Sequence, residues 1–470
     1  MPKSKNKYKS PVSSTVDIVD NASNKSKEIV LSEEQSEIFN QLKDFCKNSE
    51  RNQILVSGSA GTGKSTLITK FIEWFSGAKM FMSVVVTAPT HKAVKVLKKM
   101  SLTNQAARSV EFATLHSILG LRPVVDDDGC QVFKKDPYFQ SRFVEFDLII
   151  IDEASMIDDA MFAEIMKQNV NNSKIIFVGD SEQIPPINQV IAIPFDDAKR
   201  EQYGIEKFSL TKIIRQSAEN PIIKVTKTIR DGEFTSIDKK EFIKEDMDGH
   251  GVYFIEDTAT IKSKLKEYFT GKQFEEDCDY CKVVAWRNVT VNTFNTIIRK
   301  FLFGNDVKNI IVGEKLIADK AIEISKGKII NTNEDMTVRR LTETYKNIEG
   351  KNIRYYDAIV SCDSGMETIK LLLQEDEEKF KNICDKLAND AKNLPTGSER
   401  SRAWKKFYKI KETFAHVKYN YAITAHRAQG STYLNTFVVA SDIWSSGNEE
   451  ERRKILYTAC SRPRNKLFII

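Results

Sequence analysis

Apolar positions along this chain follow two alternating patterns, one with the period of a helix and one of short unbroken runs. Ile38, Leu42 and Phe45 recur at helical spacing behind Ser32, which can cap a helix together with Gln35 three residues later. Ile54-Leu55-Val56-Ser57 is a short run of buried-strand type, and after a glycine-rich turn Leu67, Ile68, Phe71 and Ile72 return to helical spacing. The same strand, loop, helix order recurs at Val84–Thr87 with His91–Met100 and at Leu148–Ile151 with Met156–Met166; Ile175–Val178 precedes a proline-containing loop. Strands that alternate with helices predict a parallel sheet covered on both faces, since each crossover lays a helix on the sheet. Asp126-Asp127-Asp128-Gly129 lies between Leu121–Val125 and Cys130–Phe133, and an Asp-Gly turn flanked by two strand-like runs predicts a hairpin.

A second α/β region is predicted from Lys207, with Lys282–Trp286 as a strand and Asn292–Phe301 as a helix. Its sheet is completed only at the far end, by Phe437–Ala440 and Lys466–Ile470. Between these, Met336–Tyr345, Ile353–Ser361 and Glu367–Leu372 read as strands of a small barrel, and Phe380, Ile383, Cys384 and Leu387 form a helical stripe. The expected divisions are a disordered basic tail over 1–28, a first domain over 29–206 with a hairpin insertion at about 119–146, a second domain over 207–325 and 416–470, and an insertion over 326–415.

Composition narrows this picture only slightly. Hydrophobic content of 41% and charged content of 29% are those of an ordinary globular protein. No apolar run approaches the roughly 18–20 residues of a membrane span. The lysine-rich start has no signal-peptide core, so the expectation is a cytoplasmic protein, in the host cytoplasm if phage-encoded, that is monomeric and makes no membrane contact. A net charge of +6 permits a polyanionic partner without arguing for one, so any nucleic-acid surface must be local. Seven scattered cysteines read as reduced thiols, and the Cys278–Cys281 pair lacks the four ligands of structural zinc.

The chemistry is carried by the first strand and its successors. Gly58-Ser59-Ala60-Gly61-Thr62-Gly63-Lys64-Ser65, followed by Thr66, matches the phosphate-binding pattern GxxxxGK[ST] between a strand and a helix. Glycines let the backbone wrap phosphates, Lys64 neutralises the β and γ oxygens, and Ser65 offers a hydroxyl to Mg²⁺; the cofactors expected are ATP and Mg²⁺. Leu148–Ile151 runs into Asp152 and Glu153, where Asp152 would hold Mg²⁺ and Glu153 would act as the base that orients and deprotonates water. After the next strand, Gln183 can bond both γ-phosphate and water.

The order of segments resembles superfamily 1 helicases, and more closely the subgroup that contains RecD and the phage Dda helicase. The resemblance is carried by Gln35 ahead of the phosphate loop, by Thr87–Val94, by Thr114–Leu119 and by Gly179–Pro186. It continues through Leu210–Gln216, Ala422–Thr432 and Leu456–Arg464, with Arg427 and Ser461 standing where the family usually shows Lys and Thr. It implies two RecA-like P-loop domains, with a β-hairpin inserted in the first and an SH3-like β-barrel plus helices in the second. It also implies adenine reading by Gln35, arginines reaching the ATP from Arg215 and Arg462, and a nucleotide contact at Gly430. The partner implied is single-stranded DNA and its junctions with duplex, in replication, recombination and repair, alongside replication or single-strand-binding proteins. Movement would be 5′ to 3′, with duplex unwinding, or else protein displacement by a translocase without processive unwinding.

Movement independent of sequence needs phosphate contacts and base stacking rather than base-edge readout. The resemblance assigns that grip to Thr87, Pro89, Thr90, His91, Thr114, His116, Asn295, His426 and Gln429, and the predicted hairpin offers Phe133, or nearby Val125, as a wedge at the duplex.

Overall fold

The computed structural model describes residues 30–47, 50–78, 82–101, 110–125, 131–135, 141–213, 220–234, 245–247, 249–307, 309–324, 328–395 and 397–470. The expected basic tail lies outside them. Strands β1 (Gln53–Gly58), β2 (Val84–Ala88), β3 (Val110–Thr114), β6 (Leu148–Ile151), β7 (Lys174–Gly179) and β8 (Glu206–Leu210) form one parallel sheet in the order β3-β2-β6-β7-β1-β8. Its unbroken apolar runs follow from burial on both faces. Val56, Val86, Ile150 and Val178 pack under the helices Glu33–Lys47 and Lys64–Gly77, while Leu55, Val85, Ile149 and Phe177 face Phe143 and Phe162 on the other side.

Two expectations change here, and a third, the hairpin, holds. β3 and β8 complete the sheet at its edges; β8 pairs with β1, Leu55 opposite Lys207, so the first unit runs through Leu210 instead of ending at 206. The helix after β6 starts at Asp159, because the Asp158 carboxylate accepts the Met161 N–H at 2.7 Å, and Ala154–Met156 is a separate 3-10 turn. The hairpin forms as β4 (Leu121–Val125) and β5 (Gln131–Lys135), Pro123 opposite Phe133; its Asp-Gly turn and the Phe133 side chain lie outside the described residues.

The chain then lays down β9 (Gly251–Phe254) and β10 (Cys281–Ala285) and leaves for a third sheet. That sheet comprises β11 (Lys315–Ala318), β14 (Asp335–Ile348), β15 (Lys351–Cys362), β16 (Gly365–Leu372) and β17 (Val417–Tyr419), antiparallel in the order β16-β15-β14-β11-β17, with a short pair β12 (Ile322–Glu323) and β13 (Ile329–Ile330) beside it. Ala415 donates its N–H to Lys370 O at 2.8 Å, so the strip curls round Leu316, Val338, Ala358 and Val360. The insertion therefore spans Lys315–Tyr419 rather than 326–415. The predicted helix is Gln374–Asn393, and an unpredicted helix Ser398–Lys411 packs Trp404 and Phe407 against Ala391. β18 (Ala422–Thr424), β19 (Tyr433–Val438) and β20 (Pro463–Ile469) finally complete a second parallel sheet, β18-β10-β19-β20-β9. Among the described residues no helix is long and apolar enough to cross a membrane.

One ammonium ties the three sheets together. Lys92, on the helix His91–Ser101, donates to Asp279 before β10 at 3.1 Å and to Asp335 of β14 at 3.2 Å, and lies 4.9 Å from the Tyr433 ring of β19. Burial works against its charge, but Tyr433, Asp335 and Asp279 together outweigh burial and hold the ammonium's pKa well above its ordinary value. Cys278 lies 4.0 Å from Asp335 and Cys281 is buried in β10; Cys278, Asp279 and Asp335 are close enough to share a cation, and Lys92 supplies one.

Candidate nucleotide site and the adjoining cleft

The sheet order sorts its loops into two groups. Those leaving β1, β6 and β7 carry the phosphate loop, the paired acids and Gln183, while those leaving β2 and β3 carry Pro89-Thr90-His91 and the Thr114–His116 turn. The boundary is the β2–β6 pair, Thr87 opposite Ile151.

At the phosphate loop Gly61 and Gly63 take φ of 83° and 79°, which favours glycine, and a Cβ on Gly58 would lie 2.6 Å from Thr62 Oγ1. Lys64 Nζ folds over the loop and donates to the carbonyls of Gly58 and Ser59. Ser65 and Thr66 are half-buried in the first turn of the helix, where unpaired amides face an anion. Gln35 does not stand free for adenine. Its Nε2 donates to Thr62 O at 3.1 Å and Gly63 O at 3.4 Å, and its Oε1 accepts the Ser32 N–H at 3.0 Å while Ser32 Oγ accepts the Gln35 N–H at 3.2 Å. The reciprocal cap thus doubles as a brace under the loop.

Asp152 is fixed through its N–H to Thr87 O at 2.8 Å. Glu153 follows with φ 53°, ψ 40°, left-handed backbone that a side chain with Cβ rarely adopts. Burial raises the pKa of both carboxyls; for Glu153 the neighbouring Asp152 adds to the rise, and Arg462 and Lys64 oppose it. The Ser65 hydroxyl and the Asp152 carboxylate are hard oxygen donors of the kind Mg²⁺ takes, and Lys64 and Arg462 are the cations whose charge reaches the buried acids. Bound there, the ion would add positive charge at the β and γ oxygens. Gln183 is buried with its Oε1 unpartnered among the described residues, an acceptor without a donor, which suits contact with water.

The second half closes over this site. Arg462 is 6% exposed; its Nε donates to Thr458 O at 2.8 Å and its Nη1 to Ser431 O at 3.3 Å, which aims the guanidinium while its charge is felt at Glu153. Arg215 lies outside the described residues. Three residues not singled out by sequence do similar work: Arg230 Nη1 donates to Ser59 Oγ at 3.0 Å, Arg453 pairs with Glu182, and the Tyr457 hydroxyl meets the loop at Ala60 N. Arg453 and Tyr457 share one face of the helix Glu449–Cys460 at i, i+4, a spacing visible in the sequence once Arg462 is singled out. Gly430 fits because a Cβ there would lie 3.2 Å from Ala93 Cβ, 3.3 Å from Thr90 Oγ1 and 3.7 Å from Glu153 Cγ.

Beside this interface lies a cleft of about 1370 Å³ between the first sheet's loops and the inserted sheet. Pro89, Thr90, His91, Thr114 and His116 line one wall; Lys320, Asn331 and His416 are among the residues opposite. Burial lowers the His91 pKa and takes that of His116 down to about 4, so both imidazoles are neutral near pH 7. Thr114 caps the short helix Leu115–Ile118.

Other expected grip residues turn inward. Thr87 is wholly buried in β2. Asn295 is 3% exposed and accepts the N–H groups of Tyr421 and Ala422 while donating to Ala422 O, so it joins the helix Asn288–Phe303 to β18. Gln429 bonds Ser155 Oγ at 3.3 Å and Ile184 O at 3.2 Å, between the halves. His426 is half-buried in the turn beside it and does not line the cleft.

Residues 30–247 match the model of the AAA domain, and residues 419–470 that of the UvrD-like helicase C-terminal domain. The ATP-dependent DNA helicase dda of Enterobacteria phage T4 is 30% identical over 94% of this chain and 99% of its own length. An uncharacterized protein of Acanthamoeba polyphaga mimivirus is 26% identical over 91% of this chain and 97% of its own. Among solved structures, that of the Pif1 helicase from Bacteroides in complex with ADP-AlF3 and ssDNA superposes with a TM-score of 0.51 at 16% identity, covering 94% of this chain and 92% of that one, a likeness of fold.

Proposed function

The chain belongs to the helicases related to phage T4 Dda, RecD and Pif1, as a helicase-like ATPase acting on nucleic acid, and from that premise we propose that it is a superfamily 1 motor that travels along single-stranded DNA and parts duplex. The observation that carries this reading is the wall shared by the two clefts. Thr90 lines the wider cleft, and a Cβ built on Gly430 would lie 3.3 Å from Thr90 Oγ1 and 3.7 Å from Glu153 Cγ, so a strand-facing loop and the proposed base converge on one glycine that has no room for a side chain. The volume exceeds the roughly 300–1,000 Å³ of small-ligand pockets and suits a polymer. Neutral His91 and His116 favour stacking on bases over pairing with phosphates.

In this reading hydrolysis needs the halves closed, because Arg462 and Arg230 come from beyond the first sheet. Opening afterwards changes the distance between grips on the strand. The hairpin β4–β5 stands next to the Thr114–His116 turn and is the natural wedge. The test is ATP-dependent unwinding of duplexes with either a 5′ or a 3′ single-stranded tail, beside a Lys64→Ala control. Unwinding from the 5′ tail supports the full proposal; unwinding from 3′ tails alone overturns the direction. ATP hydrolysis and protein displacement without strand separation would leave a translocase, and hydrolysis indifferent to single strands would refute the motor.

A further inference from the structure

Tyr457 lies where the helix Glu449–Cys460 meets the phosphate loop, and it is 1% exposed. Its hydroxyl accepts the Ala60 N–H at 2.8 Å and donates to Asp180 Oδ2 at 2.7 Å, so a single phenol from the second half bonds two groups of the first. Asp180 is likewise 1% exposed, and its Oδ1 accepts the Glu182 N–H at 3.0 Å, shaping the turn that carries Gln183. Thr458, the next residue, accepts the Ile184 N–H on its hydroxyl at 3.1 Å and the Arg462 Nε–H on its carbonyl at 2.8 Å. One helical turn therefore grips the phosphate loop, the Gln183 turn and the arginine.

We propose that Tyr457 is a positioning residue whose hydroxyl sets the closed arrangement in which Arg462 faces Glu153. The physical reason lies in what happens to its partners. With the halves apart, water satisfies the Ala60 N–H and the Asp180 carboxylate. With the halves together, no water replaces the phenol, and losing it strands a donor and a charged acceptor. The penalty falls on closure and spares the folding of either half. The inference rests on the reading that hydrolysis needs closure, and it concerns ATP turnover rather than strand separation.

The experiment is Tyr457→Phe in the full chain, which keeps the ring and deletes the oxygen. The turnover number should fall about 10- to 100-fold, with and without single-stranded DNA, while KM for ATP stays within about threefold and Tm within about 2 °C. Adding Asp180→Ala should cost clearly less than the sum of the two single substitutions, because both remove the Tyr457–Asp180 bond. Unchanged turnover overturns the proposal. So does a loss accompanied by a Tm drop above about 5 °C, which is a packing role, and so does a fully additive double variant. If the unsubstituted protein ignores single strands, the motor reading fails while this comparison of basal turnover still stands.

Discussion

The two clefts beside the first sheet are built in opposite ways. Around the phosphate loop polar groups are matched across the halves: Tyr457 with Ala60 and Asp180, Arg230 with Ser59, Arg453 with Glu182, Gln429 with Ser155. Along the wider cleft, Thr114 bonds within its own turn and the imidazoles are neutral. A site that stabilises one transition state gains from fixed dipoles and dry walls. A site that must hold and release a uniform chain gains from contacts that commit to no sequence. The difference predicts that substitutions in the first cleft act on turnover and those in the second on affinity.

That separation can be broken in order of size. Lys64→Ala should lower ATP turnover about a thousandfold, read as phosphate release, while the dissociation constant for single-stranded DNA moves less than about twofold; a large loss of DNA binding would mean the clefts are not separable. Lys92→Ala leaves Asp279 and Asp335 facing each other without their cation and should cost about 3 kcal/mol in urea unfolding, and a cost below about 1 kcal/mol would show that the joint is ornamental. His116 has a folded pKa of about 4 against 6.5 for an ordinary imidazole, so the fold favours its neutral form. Its contribution to stability is complete above pH 6.5 and is lost as pH falls toward 4, by up to about 3 kcal/mol, and His116→Phe should flatten that part of the pH profile of unfolding. Smallest, His116→Ala should weaken single-strand binding about tenfold, read by fluorescence anisotropy, and leave basal hydrolysis unchanged.

Much of the catalytic half was legible because its signals are local. The phosphate loop, the Asp152-Glu153 pair and the four central strands are contiguous stretches in which a run of one residue type decides the outcome. β8 is hard to place because two charged residues, Glu206 and Lys207, open it and the strand sits at an edge, where Lys207 and Ser209 meet solvent. β3 was missed because its middle residues are only half-buried, which dilutes the apolar run. Asn295 and Gln429 looked like surface polar residues, and only their distant partners, Tyr421 for one and Ile184 for the other, turn them inward. Arg230 and Lys92 carry no signal of their own for the same reason: each acts on a residue brought near by folding alone.

The left-handed backbone at Glu153 has a consequence for anyone reshaping this protein. Glycine would relax that position by about 1 kcal/mol and would remove the carboxylate in the same stroke. A library selected for heat resistance alone would therefore drift toward a sturdier and inert enzyme, and the first place to look for that drift is a single codon after the Asp152 strand.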